Sequence, residues 1–225
     1  MKKQYIAFAF IVMTANVFAA CNRNYMTPLD TNSYYAAAAG LTAGELKTSL
    51  NTIIKGHTNL GYSCAWDILR MADEDPANSN NVIGFYTRRS IVKTDRDYGQ
   101  NTPNVWNREH IWAKSHGISS SGMSAYSDTH HLRATDKSVN ADRASKDFAD
   151  GGNAHWECSG CLYTSNSWSP PDEVKGDTAR MMFYMATRYE GGDGVPDLEL
   201  VDQVGTGGNQ FGDLCDLLQW HVDDP

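Results

Sequence analysis

The chain has 225 residues, of which 41% are hydrophobic, and its formal net charge is −8. This length is typical of one domain with a buried core, and the hydrophobic share excludes a disordered chain. The acidic balance excludes a uniformly basic nucleic-acid-binding protein. Between Arg108 and Lys146, however, basic residues outnumber acidic ones, so we expect an acidic body with a neutral-to-basic cleft.

Residues 1–20 have the pattern of a secretory signal peptide. Two lysines precede an apolar run, and small residues suited to cleavage close the segment. The segment is too short, and wrongly flanked, for a membrane-spanning helix. The alternative is a buried N-terminal helix, which the basic start disfavours. We assign residues 21–33 to a polar tether and residues 34–225 to the folded domain.

Cys21 leaves two fates open for the N-terminus. It directly follows Phe-Ala-Ala, which resembles a bacterial lipoprotein box. Lipidation at Cys21 would anchor the protein to a bacterial membrane. Cleavage after Ala19 would instead release it as a secreted or periplasmic protein.

The other cysteines suit an oxidising compartment. Cys158 and Cys161 are separated by only two residues, which favours a local structural disulfide. A redox motif and half of a zinc site are the alternatives, although no second cysteine pair has zinc spacing. If Cys21 is lipidated, four cysteines remain, and sequence leaves three pairings open among Cys64, Cys158, Cys161 and Cys215.

The N-terminal half of the domain is predicted to be helical and then to turn into a loop and a strand. Thr42 and Glu45 have the spacing of a capping box at the start of a helix. An Asp- and Asn-rich segment reads as a loop. In chain order we predict helices over residues 34–40, 42–55 and 64–72, a loop over 73–81 and a strand over 82–86.

The C-terminal half begins with a strand, loop, strand and helix in succession. Glycine, serine and tryptophan then dominate an irregular stretch before two further helices. In chain order we predict a strand over 104–112, a loop over 117–127, a strand over 128–134, a helix over 137–148, an irregular stretch over 150–171 and helices over 172–189 and 213–222.

The chemistry is concentrated at Glu109, His110 and Asn140. A carboxylate and a carboxamide are hard oxygen ligands of the kind that Mg²⁺ and Ca²⁺ prefer. A neutral histidine beside such an ion can take a proton from water near pH 7. Neighbouring side chains of a strand point to opposite faces, so Glu109 and His110 can share a site only if the strand ends or bulges there. These are the parts of a metal-assisted phosphodiester hydrolase.

At these residues the chain resembles the bacterial endonuclease I family, secreted or periplasmic non-specific nucleases of the ββα-metal (His-Me finger) superfamily. The resemblance runs from about residue 34 to the C-terminus, and this family usually continues past the point where the chain stops. It implies an α+β fold with a ββα-metal core embedded in a mainly helical single domain. The matching stretches are residues 73–76, 86–90, 107–112, 114–117, 128–133, 139–143 and 170–177.

The resemblance also implies a role for each site residue. His110 would be the general base, and Glu109 and Asn140 would hold Mg²⁺, with Ca²⁺ or Mn²⁺ as alternatives. Arg143 would clamp a phosphate, unless it forms a structural salt bridge instead. Further candidates are Arg133, Arg108 and Lys114 for substrate binding, and Asp128, His130 and His131 for supporting the metal site; of the two histidines, we expect one to point inwards and one away.

Three functions compete at this point. The first is a metal-dependent endonuclease, expected to be a monomer, that cuts DNA and, as a second substrate, RNA by contacting the backbone. The second is a non-catalytic nucleic-acid- or surface-binding lipoprotein that retains the nuclease fold, which would be expected to lose Glu109 or His110. The third is a thiol–disulfide enzyme built on Cys158 and Cys161, which leaves the histidine cluster unexplained.

Overall fold

The computed structural model describes residues 31–100, 102 and 104–224. The predicted signal peptide, Cys21 and most of the predicted tether therefore lie outside the described residues. Within that described part, no helix has both the length and the apolar character needed to cross a bilayer.

Helices and short strands occur in separate runs along the chain, which confirms the α+β class. The helices do not dominate, so the expectation of a mainly helical surround is only partly met. In chain order the helices are α1 Thr31–Tyr34, α2 Ala43–Ile54, α3 Ala65–Ala72, α4 Lys137–Arg143, α5 Lys175–Arg188 and α6 Leu214–Asp223.

The described strands form four small sheets. Their orders are β1-β2-β3, β4-β5, β6-β9-β8-β7 and β10-β11. The strands are β1 Glu74–Asp75, β2 Asn78–Ile83, β3 Ser90–Val92, β4 Trp106–His110, β5 Leu132–Asp136, β6 Asp147–Phe148, β7 Asn153–Ala154, β8 Leu162–Tyr163, β9 Ser167–Ser169, β10 Glu199–Leu200 and β11 Gln210–Phe211.

The helix starts show where local sequence signals succeed and fail. The last helix begins where it was predicted, and Asp213 caps it, because its carboxylate accepts hydrogen bonds from the backbone N–H groups of Cys215 and Asp216. The capping box at α2 is wrong, since Thr42 makes no side-chain capping bond. The apolar residues of α2 are also only half-buried, and the helix has no fully buried residue.

The predicted loop over residues 73–81 is instead an antiparallel hairpin of β1 and β2. Strand β2 continues the pairing with β3, so the predicted strand over 82–86 begins and ends earlier than expected. Asp and Asn are poor strand formers in isolation, and the ladder with the neighbouring strands overrides that preference.

The central unit has the predicted order of strand, loop, strand and helix. Strands β4 and β5 pair antiparallel, with Glu109 opposite Arg133 and His110 opposite Leu132. Helix α4 follows β5 directly but ends at Arg143, well short of the predicted residue 148. Ala144 has a φ of 53°, which stops the helix, and the next residues pair with β9.

The core lies mainly between α5, α6 and the loops that follow β4. Helix α5 has an apolar face, because Ala179, Met182 and Met185 are buried and pack in the same cluster as Trp112. The predicted local disulfide joins Cys158 and Cys161 beside this cluster. Strand β4 and helix α4 are positioned by this cluster, because Ile111, next after β4, and Val139 of α4 belong to it.

Candidate active site

A cavity of about 320 Å³ opens beside the end of β4 and the C-terminal half of α4. Strand β4, α4, α3 and the loops around them all contribute side chains. The described residues that line it are Tyr62, Trp66, Asp97, Gly99, Asn107, Arg108, Glu109, His110, Ala113, Lys114, Asn140, Arg143 and Ala144. The three residues predicted to carry the chemistry therefore line the same cavity: Glu109, His110 and Asn140.

His110 is held as a neutral imidazole. Its Nε2 lies 2.9 Å from the carbonyl oxygen of Tyr126, and a carbonyl can only accept, so Nε2 carries the hydrogen. Nδ1 is then the nitrogen with a free lone pair. Burial lowers the pKa of His110 well below its usual value, and the neighbouring His131 adds to the effect. A neutral ring with a free lone pair is the form that a general base requires.

Glu109 is buried and firmly held. It is 2% exposed, its Oε1 accepts a hydrogen bond from the Tyr86 hydroxyl at 2.8 Å, and the Arg143 guanidinium lies 3.3 Å from the same oxygen. Burial raises the pKa of Glu109, and the charge of Arg143 opposes that rise. The strand ends at His110, which is how Glu109 and His110 both reach the cavity despite their opposite faces.

Arg143 lies beneath the site rather than at its mouth. Its side chain is 0% exposed, and it donates hydrogen bonds to the backbone carbonyls of His110 and Ile111 at 3.1 Å and 2.7 Å. It also forms a buried ion pair, and its partner is Glu109. This geometry makes Arg143 a residue that positions Glu109 and the end of β4.

Asn140 is oriented by a chain of hydrogen bonds. Its Nδ2 donates to Oδ1 of Asn107 at 2.7 Å, and the Asn107 side chain bonds in turn to Asp97. Asp97 is held by Lys137 at 3.0 Å. Because the amide nitrogen of Asn140 is engaged, its oxygen is the atom left for a cation. Asn107 was not among the predicted site residues. It shares a strand face with Glu109, two positions away, and this periodicity is the sequence signal that could have indicated it.

Arg108 and Lys114 line the cavity as substrate-binding candidates, whereas Arg133 does not. Arg108 lies in the wall, and Lys114 is exposed at the lip, 5.4 Å from the ring centre of Tyr126. The guanidinium of Arg133 donates hydrogen bonds to the backbone carbonyls of Thr129 and Leu132. Burial raises the pKa of Asp73 to about 6, and the charge of Arg133 opposes that rise. The backbone bonds hold Arg133 outside the described cavity lining.

The two histidines point in opposite directions, as expected, but they precede β5 rather than lying on it. His131 is buried, its ring centre is 5.4 Å from that of His110, and Nε2 donates to the carbonyl of Ala125. Burial lowers the pKa of His131 to about 4, which keeps a second positive charge away from His110. His130 is exposed and stacks on Tyr184.

Asp128 supports the loop and not the cavity. Its Oδ2 accepts hydrogen bonds from the hydroxyls of Tyr184 and Tyr189, each at 2.8 Å, and Oδ1 accepts from the backbone N–H of His130. None of Asp128, His130 and His131 is among the described residues that line the cavity. Their support therefore reaches the site only through His131 packing on His110.

The donor set fits a hard divalent cation. Glu109 offers a buried carboxylate and Asn140 a carboxamide oxygen, and no sulfur ligand is among the described lining residues. Two oxygen ligands from the protein leave room for water and phosphate oxygens, which is the usual arrangement at Mg²⁺. The one metal-like cluster of carboxylate and thiol groups in the described part of the chain, Asp202, Asp213 and Cys215, is separate from this cavity.

Comparison with known proteins gives the family. The sequence model of the Endonuclease I family matches residues 42–225. An extracellular ribonuclease of Bacillus amyloliquefaciens is 47% identical over 211 residues, which covers 93% of this chain and 72% of the relative. An extracellular ribonuclease of Bacillus subtilis (strain 168) is 49% identical over 199 residues, which covers 87% of this chain and 67% of the relative. Because the match extends over most of the chain, the chain belongs to the endonuclease I family and is a nuclease.

Proposed function

We propose that this nuclease hydrolyses phosphodiester bonds of RNA and DNA with little sequence specificity, using a divalent cation held by Glu109 and Asn140. The observation that supports the proposal is the meeting of Glu109, Asn140 and neutral His110 at one cavity. Mg²⁺ is the first candidate, with Mn²⁺ and Ca²⁺ as alternatives. RNA enters the proposal because both relatives are named ribonucleases.

We also propose that the protein is secreted, since both relatives are named extracellular. The signal peptide predicted over residues 1–20 agrees with that proposal. The lipid anchor at Cys21 and the monomeric state stay predictions.

In the proposed mechanism, His110 takes the proton of the attacking water through Nδ1. Nε2–H remains bonded to the carbonyl of Tyr126, which keeps the ring in the required tautomer while Nδ1 accepts the proton. The tyrosine rings of Tyr62 and Tyr126 pack on the imidazole, with ring centres 5.3 Å and 4.9 Å away. This packing restricts the ring to one orientation and excludes bulk water from it.

Charge at the phosphate is balanced by the residues of the cavity wall. A bound cation would supply electrostatic stabilisation of the phosphate oxygens and of the leaving oxygen. Glu109 and Asn140 hold their oxygens in place for it, because Tyr86, Arg143 and Asn107 bind their other atoms. The exposed ammonium of Lys114 lies at the lip, where it can attract the polyanion.

The experiment that tests the function is cleavage of a supercoiled plasmid and of a long RNA by the purified protein. We expect cleavage of both in Mg²⁺, complete loss of cleavage in EDTA, and recovery when Mg²⁺ is returned in excess. A well-folded protein that binds nucleic acid but cuts neither substrate in Mg²⁺, Mn²⁺ or Ca²⁺ would favour the non-catalytic binding protein instead. Cleavage that EDTA leaves unchanged would contradict the role of the cation.

Asn107→Ala is expected to weaken cation binding by about 10- to 100-fold, as loss of a partner that orients a ligand usually does. Without the Asn107 oxygen, the amide of Asn140 is free to rotate and to present its nitrogen to the cation. The Mg²⁺ concentration for half-maximal cleavage and the calorimetric dissociation constant for Mg²⁺ should rise together. Asn153→Ala, an exposed asparagine on β7, is the matched control. An unchanged Mg²⁺ dependence in Asn107→Ala would show that Asn140 does not need this bond.

A further inference from the structure

A stack of alternating aromatic rings and guanidinium groups leads away from the catalytic histidine. Arg108 lies over Tyr62 at 3.4 Å and over Trp66 at 4.2 Å from the ring centres. Arg96 lies over Trp66 at 5.1 Å and over Tyr98 at 4.5 Å. We call these five residues, Tyr62, Arg108, Trp66, Arg96 and Tyr98, the Arg–aromatic ladder.

The ladder joins the active site to the surface. Its inner end, Tyr62, has its ring centre 5.3 Å from that of His110. Its outer end, Tyr98, is 67% exposed and is one of the most exposed large side chains among the described residues. Tyr62, Trp66 and Arg108 all line the catalytic cavity. A strand whose phosphate lies at His110 can therefore continue along this wall.

The arginines of the ladder form no direct ion pair with a described residue. Arg108 donates one hydrogen bond to the backbone carbonyl of Tyr62. The buried Nε atoms of Arg96 and Arg108 have no hydrogen-bond partner among the described residues. Two guanidiniums without a direct carboxylate partner, beside a phosphodiester site, fit an anionic ligand.

We propose that the Arg–aromatic ladder binds an unpaired stretch of the nucleic-acid strand next to the cleaved phosphate. A base stacks on the exposed ring of Tyr98, and phosphates face Arg96 and Arg108. Bases in a duplex are already stacked and paired, so they are not available to Tyr98. The ladder therefore strengthens the binding of single-stranded substrate and does not strengthen the binding of a duplex. This inference rests on the proposed phosphodiesterase site for its biological use, but the binding itself does not require catalysis.

Cleavage kinetics test the ladder with three substrates of one sequence: a single-stranded RNA, a single-stranded DNA and an RNA duplex. Tyr98→Ala is expected to raise KM for both single strands roughly five- to twentyfold, the low end of what base–aromatic stacking contributes. KM for the duplex should change less than twofold. Tyr98→Phe should retain the wild-type values, because the ring and not the hydroxyl stacks. Tyr35→Ala, an exposed tyrosine outside the ladder, is the control.

Equal changes on single strands and duplex, or no change on any substrate, would overturn the proposal. A change confined to the RNA strand would also overturn it, because contacts to the ribose hydroxyl and not base stacking would then be responsible.

Binding measured without catalysis separates this inference from the proposed function. The Kd for a labelled single-stranded RNA is measured by fluorescence anisotropy in the His110→Ala protein and in the same protein with Tyr98→Ala added. The second substitution should raise this Kd by the same factor of roughly five to twenty. That result would support the ladder even if the wild-type protein cut nothing. A Kd that Tyr98→Ala leaves unchanged would overturn the proposed role of the ladder even if the wild-type protein is an active nuclease.

Discussion

His110→Ala is expected to lower kcat for RNA and plasmid DNA by about 10²- to 10⁴-fold, the usual contribution of a general base. KM should change little, because the ring contacts the attacking water and not the bound strand. Since His110 is 5% exposed, the substitution leaves a small cavity among Tyr62, Tyr126 and His131. Steady-state kinetics on both substrates check this result.

Two further measurements keep this test specific. Added imidazole should restore part of the activity of His110→Ala, because a free base can occupy the vacated space. His130→Ala removes an exposed histidine from the loop before β5 and should leave kcat within about twofold of wild type, as surface substitutions usually do. Activity in His110→Ala equal to that of wild type would assign the proton transfer to another group.

Arg143→Met is expected to lower the free energy of unfolding by about 3–5 kcal/mol, the usual cost of removing one partner of a buried ion pair. The substitution leaves the Glu109 carboxylate charged and buried, and it removes the donors to the carbonyls of His110 and Ile111. Urea unfolding measures the change. Arg88→Met, which breaks only an exposed ion pair, should cost less than about 1 kcal/mol.

The double substitution Arg143→Met with Glu109→Gln decides how the cost arises. Because the glutamine is neutral, the pair of changes should be less destabilising than the sum of the two single changes. If Arg143→Met instead unfolds at the wild-type urea concentration and only raises KM, Arg143 contacts the substrate phosphate. That outcome would return it to the clamp expected from the family resemblance.

Much of the candidate site was readable from the sequence because its signals are local. Glu109 and His110 are neighbours on one apolar strand, and the requirement that this strand end at the site follows from side-chain alternation alone. The role of Asn140 came from the resemblance to the endonuclease I family, and its place on the helix after the second strand is where that family's motif puts it. The order of strand, loop, strand and helix is likewise a local pattern, and both it and the family were predicted correctly.

Other features depended on contacts between segments far apart in the chain. The Asp- and Asn-rich stretch after α3 reads as a loop, yet it forms a hairpin because β3 is there to pair with β2. Helix α4 stops early because the residues beyond Ala144 pair with β9, about twenty residues later. Propensity along the chain does not report such pairing, since the stabilising partner is absent from the local window.

The roles of the arginines were decided by tertiary structure alone. Arg108, Arg133 and Arg143 are alike as sequence signals: a positive charge near the catalytic motif. One lies between two aromatic rings in the cavity wall, one donates to two backbone carbonyls outside the cavity, and one is buried against Glu109. The sequence by itself therefore determined which chemical groups are present and on which elements they lie. Only the packing of distant segments decided which face the substrate, because a long charged side chain turns towards whichever opposite charge or ring the fold brings near.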